Sequence, residues 1–134
     1  MIHPFASAPD KTWRSDGFVE VAGYLKRSGA DVVFIGGAHD DFTPFRAFQT
    51  LSGAPLDGIK RLLARASLFV GNDSGPAHMA AAFGLPVLVV FGASDPAIWG
   101  PWRTASEIVS APGGIARVET RRVIEALTRL RVHA

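Results

Sequence analysis

The amino-acid sequence predicts an α/β fold, a parallel sheet with helices on both faces, and three observations carry that prediction. Residues 31–35 (DVVFI), 67–71 (SLFVG) and 87–91 (VLVVF) are apolar runs of strand length, as expected of strands covered on both faces. The segments between them repeat apolar residues at helical spacing. Strand and helix alternate about five or six times along the chain. Crossovers between parallel strands are right-handed, so an open, doubly wound, Rossmann-like sheet is the economical topology.

Residues 2–5 form a short apolar opening, and residues 6–14 a polar loop. Ser15 or Asp16 is expected to cap a first helix with Phe18, Val21, Ala22 and Leu25 inward, and Gly29 supplies its stop. After the strand at 31–35 comes Gly36-Gly37, and residues 40–49, with Phe42, Phe45, Ala47 and Phe48, are expected to form a helix starting near Pro44. Residues 50–52 read as a brief strand, and Pro55 suits the first turn of a helix facing inward with Ile59, Leu62, Leu63 and Ala66. The strand at 67–71 then leads to a small Ala-rich helix over 76–83, and the strand at 87–91 to a loop over 92–105. Residues 107–109 are expected at a sheet edge, and 119–132 in a terminal helix turned inward through Val123, Ile124, Leu127 and Leu130.

Composition narrows the function classes. With 134 residues, 48% hydrophobic and 19% charged, the chain reads as one domain over 1–134, large enough to bury a core and too apolar for disorder. Cysteine is absent, which removes disulfides, thiolate chemistry and cysteine zinc sites, and a cytoplasmic domain is the simplest reading. The net charge is only +2, and Arg117, Arg121, Arg122, Arg129 and Arg131 read as a solvated helix face, with no nucleic-acid partner. No transmembrane segment is expected, because the apolar run at 87–91 is far short of the roughly 20 residues a bilayer needs. Residues 1–11 also lack the basic start and apolar middle of a signal peptide.

Ligands of open parallel sheets bind at the carboxyl ends of the strands. Residues 68–86 have that geometry: a strand runs into Asn72-Asp73-Ser74-Gly75, and Pro76 opens a helix. Glycine at 71 and 75 allows a sharp turn and close approach, and the amides of residues 74–77 lie at the positive end of the helix dipole, a phosphate site in waiting. His78 falls one turn into the helix, where its ring can face the same ligand. The plainer alternative is that Asp73 and Ser74 merely cap the helix and His78 is a hydrogen-bonded core residue. A serine hydrolase is disfavoured, since the G-x-S-x-G elbow is not matched around Ser74. His39-Asp40-Asp41 has the look of a metal cluster, but nothing completes a ligand set, so no metal is expected there.

Residues 72–86 (NDSGPAHMAAAFGLP), then 90–96 (VFGASDP) and Gly100-Pro101, resemble the ADP-heptose:lipopolysaccharide heptosyltransferases of glycosyltransferase family 9. The opening His3-Pro-Phe-Ala-Ser7 with Lys11-x-Trp13 is similar to that family's strand, loop and Lys-x-Trp signature. Gly36-Gly37 and Ser52-Gly53 fall in the family's order, so the resemblance spans nearly the whole chain.

The resemblance implies the carboxyl-terminal, donor-binding half of a GT-B glycosyltransferase, built of two Rossmann-like domains facing across a cleft. It implies Lys11 and Ser7 near the donor phosphates, Ser74 and Gly75 at the diphosphate, Asp73 toward the sugar and His78 close to both. Where the family places an acidic ribose contact this chain has His39, with Asp40 next to it, and Ala54 falls where backbone lines the base. The catalytic base and most acceptor contacts belong to the amino-terminal domain, so none is expected here. The implied ligand is an ADP-sugar bound without metal, and the acceptor the lipopolysaccharide core, at the inner membrane surface. Self-association through the exposed interdomain face is a further expected contact. Two alternatives share the fold: a non-catalytic nucleotide-binding or assembly module, and another sugar-nucleotide GT-B enzyme. Trp99 and Trp102 read as packing groups rather than ligand platforms.

Overall fold

The computed structural model describes residues 1–92 and 105–133, with side chains placed up to Leu130. Six strands, β1 (Ile2–His3), β2 (Val33–Gly36), β3 (Gln49–Ser52), β4 (Phe69–Asn72), β5 (Val87–Val90) and β6 (Ser106–Val109), form one sheet in the order β3-β2-β1-β4-β5-β6. Every neighbouring pair is parallel. That is the strand order of a doubly wound, Rossmann-like sheet, with the order reversing between β1 and β4.

Alternation along the strands explains the two helix layers. Leu88 and Val90 of β5 join Ile2, Phe34 and Val70 in one core, against α1 (Ser15–Arg27) and α4 (Thr120–His133). Val87, Val89 and Phe91 face the other way with Phe69, against α2 (Leu56–Arg65) and α3 (Gly75–Ala82). Both β5 faces are fully buried, which is why its sequence shows no polar alternation.

The expected helix over residues 40–49 does not form. The chain there makes a single 3-10 turn, Thr43–Phe45, and β3 already begins at Gln49. The Oδ1 of Asp41 accepts the Thr43 N–H at 2.9 Å, a side-chain turn that competes with helix entry ahead of Pro44. Aromatic burial decides the path: Phe45 stacks on Phe34 with centroids 4.4 Å apart, and Phe42 and Phe45 meet Phe5 edge-on.

Boundaries also move. Of the apolar opening at 2–5 only Ile2–His3 is strand, and β2 starts at Val33. Neither Ser15 nor Asp16 caps α1: Arg14 holds the N-cap position without a side-chain cap bond, and its guanidinium donates instead to the Val118 carbonyl at 2.9 Å. Pro55 stands at the N-cap of α2 rather than in its first turn. Gly29 ends α1 as expected, at φ +94°.

Arg121, Arg122 and Arg129 are paired with nearby groups. Arg121 meets Glu119 and Glu125, Arg122 donates to the Ser110 carbonyl, and Arg129 pairs with Glu107 on β6. Arg131 and the loop residues Trp99 and Trp102 lie outside the described side chains. Among the described residues, no helix is long and apolar enough to cross a membrane.

Candidate functional site

The loop that follows β1 is fixed from three sides. Trp13 is buried and edge-on to Phe18, and its indole N–H donates to the Val118 carbonyl at 3.0 Å. Its backbone N–H donates to Oδ1 of the fully buried Asn72 at 2.9 Å. Gly17 has no side chain because the indole occupies that space, a Cβ there falling 2.6 Å from the ring. The 3-10 turn Pro9–Lys11 rests on the end of β5, where a Cβ on Gly92 would stand 2.1 Å from the Asp10 carbonyl oxygen.

Two cavities open side by side at the carboxyl edge of the sheet. One, of about 420 Å³, is lined by Ile35, Gly36, Gly37, Ala38, Gly53, Ala54, Ile59 and Pro76, with His3 at its boundary. Its walls are apolar, Ile35, Ile59 and Pro76 among small residues, and Gly53 at φ +65° packs directly on Ala38. The other, of about 260 Å³, is polar, lined by Phe5, Ala6, Ser7, Asp40, Asp73, Ser74 and Gly75, again with His3. The polar cavity lies where the strand order reverses, between β1 and β4, and the apolar one lies beside it over the ends of β2 and β3, the two meeting at His3.

The structure therefore brings Ser7, Asp40, Asp73, Ser74 and Gly75 into one cavity. His78 sits beside it on α3, its Nε2 3.9 Å from Oδ1 of Asp73. Lys11 ends the 3-10 turn in the same loop, partly exposed, and does not line either cavity. His39 is exposed on the loop after β2 and lines neither cavity. Asp40 is turned back, with Oδ2 accepting the Gly37 N–H at 2.7 Å.

The plainer alternative for Ser74 and the favoured reading of the helix-start amides both need correction. Ser74 stands at the N-cap of α3 in extended conformation, but its hydroxyl makes no cap bond and lies 3.4 Å from Nδ1 of His3. The amides of residues 74–77 are not all available, since Pro76 has no N–H and the Ala77 N–H donates to the Ser74 carbonyl at 3.2 Å. The Ser74 and Gly75 amides remain at the helix start, with open space above Gly75.

His3 is the site residue that sequence reasoning missed. It lines both cavities, and burial holds its pKa down to about 4 against the opposing pull of the Asp40 carboxylate, so the ring is neutral. The available signal was positional, a polar residue closing the first strand of a parallel sheet. Asp41 titrates below the usual carboxylate range, held there by its hydrogen bonds from Thr43. Among the described residues, no group of three or more acidic or histidine side chains could hold a metal ion, the run 39–41 included.

Residues 1–122 match glycosyltransferase family 9 (heptosyltransferase). Lipopolysaccharide heptosyltransferase 3 of Escherichia coli strain K12 is 34% identical over 93% of this chain and 39% of its own length. The fold is shared with the Escherichia coli heptosyltransferase WaaC, solved with ADP, at a TM-score of 0.86 and 25% identity over 96% of this chain and 43% of that one. It is shared too with the Escherichia coli ADP-heptose lipopolysaccharide heptosyltransferase II, at a TM-score of 0.83 and 26% identity over 98% of this chain and 46% of that one. The chain thus spans less than half the length of these relatives. With the match covering most of its length and the cavities lying at the strand ends, the chain belongs to glycosyltransferase family 9, the heptosyltransferase family.

Proposed function

We propose that this chain is the donor-binding domain of a heptosyltransferase-like glycosyltransferase. The diphosphate of an ADP-sugar of the ADP-heptose class rests on the Ser74 and Gly75 amides, and the nucleoside enters the cavity beside Gly36, Gly53 and Ala54. Ser7 contributes a hydroxyl, Lys11 swings over the phosphates from its 3-10 turn, Asp73 faces the sugar, and His78 steadies Asp73. Asp40, rather than His39, is the acidic group near enough to meet a ribose hydroxyl. The observation that carries this reading is the pair of adjoining cavities at the carboxyl edge of a parallel sheet, a polar one at the β1–β4 reversal and an apolar one beside it over β2 and β3.

Glycosyl transfer builds negative charge on the departing diphosphate, and two helix-start amides with one ammonium stabilise it without a metal ion. The acceptor, a lipopolysaccharide core, and the base that deprotonates it belong to a facing domain, so these 134 residues bind donor and do not transfer it. The reading carries with it a cytoplasmic location. Calorimetric titration with ADP, UDP and their sugars tests it: ADP ligands bind in preference to UDP ligands, unaffected by chelator. Equal affinity for both nucleotides, or binding lost with chelator, refutes it.

A further inference from the structure

His3 is the residue on which the two cavities meet. It ends β1, the strand beside which the sheet order reverses, and its ring lines both the apolar and the polar cavity. Nδ1 stands 3.4 Å from the Ser74 hydroxyl, and the ring lies edge-on to Phe5 with centroids 6.1 Å apart. The titratable groups sharing the polar cavity are two carboxylates, Asp40 from the loop after β2 and Asp73 from the loop after β4. Asp73 in turn lies 3.9 Å from His78. The apolar wall brings no charge, only Ile35, Ala38, Ala54, Ile59 and glycine or proline backbone. An anion in the polar cavity therefore meets two negative side chains, and the group on the wall able to gain positive charge is the imidazole.

We infer that His3 acts on the donor diphosphate through the Ser74 hydroxyl and takes up a proton from solvent as the donor binds, making donor binding proton-linked; this rests on the donor-binding reading above. In the free chain the ring is neutral, since burial disfavours the imidazolium. A bound diphosphate reverses that balance by placing negative charge against the ring. The protonated Nδ1 donates to the Ser74 oxygen, and the serine hydroxyl then turns its own proton to a phosphate oxygen. Linkage requires that the ligand which raises the proton affinity be bound more tightly as pH falls.

The test is an NMR titration of the His3 ring, assigned through its own backbone, with and without saturating ADP-glucose. That probe is a diphosphate diester with no group titrating near neutral pH. In the free chain the ring stays neutral to about pH 5, and with ligand its midpoint moves to about 6. Linkage then makes ADP-glucose bind about tenfold tighter at pH 5 than at pH 7.5, a dependence that H3Q removes. If the Ser74 and Gly75 amides shift with ligand while the His3 midpoint stays in place, the inference falls and the donor-binding reading stands. If neither ADP-glucose nor ADP moves any resonance at millimolar concentration, the reading falls and this inference with it. The ring titration uses the unaltered chain, so it decides the question even where H3Q does not fold.

Discussion

The backbone N–H of Trp13 donates to the Asn72 side chain at 2.9 Å, across 59 residues, and so ties the loop after β1 to the end of β4. Both segments line the polar cavity, one bringing Ser7 and the other Ser74 and Gly75. The last residue of a strand thus sets the distance between two walls of the cavity without lining the cavity itself.

Replacing Asn72 by Leu leaves the Trp13 N–H buried without an acceptor. A buried donor left unsatisfied costs about 1–3 kcal/mol, and because the change also removes the Asn72 Nδ2, itself buried without a partner, urea denaturation shows a loss at the lower end of that range. Nucleotide affinity falls as well, because the loop carrying Ser7 and Lys11 loses its tether. An N72L chain with unaltered stability removes Asn72 from this role.

Gly92→Ala forces its methyl to within 2.1 Å of the Asp10 carbonyl oxygen, a contact that backbone must yield to relieve. The 3-10 turn Pro9–Lys11 shifts outward, and diphosphate affinity drops more than the affinity for adenosine. Paired titrations with ADP and adenosine read the difference. Gly75→Ala is the comparison, since a Cβ there meets nothing within 4 Å and stability is preserved.

Lys11→Ala weakens ADP binding by about tenfold, the scale of one charge-assisted contact, while adenosine binding is unchanged. Equal losses for the two ligands would remove Lys11 from the phosphates. The test matters because Lys11 does not line the cavity in the ligand-free chain and must move to reach it.

Stability depends on pH through His3. Its pKa is about 4 in the folded chain against 6.5 when exposed, so between those values the unfolded chain binds more protons. Unfolding free energy is therefore full above about pH 6.5 and declines as pH falls toward 4, by on the order of 3 kcal/mol. Urea midpoints at pH 7 and pH 4.5 measure the loss, and H3Q flattens it. The Asp41 carboxylate, held low by Thr43, acts in a lower window, below its ordinary pKa.

Sequence alone determined the layered α/β class, the places of β2, β4 and β5, and the helix start at Ser74–Pro76, because each is written in a local signal. Unbroken Val and Phe mark a strand buried on both faces, and a short polar turn before proline marks a helix opening. Only tertiary structure decided that residues 40–49 give up a helix to pack Phe42 and Phe45 on Phe5, and Phe45 on Phe34, since Phe5 is remote in sequence and the stacking on β2 depends on how the chain folds back. It likewise decided that the Ser74 hydroxyl faces His3 instead of capping α3, and that His3 divides the two cavities. Periodicity reports which face of an element is buried; which residues meet where six parallel strands end depends on strand order, and strand order is set by packing between distant segments.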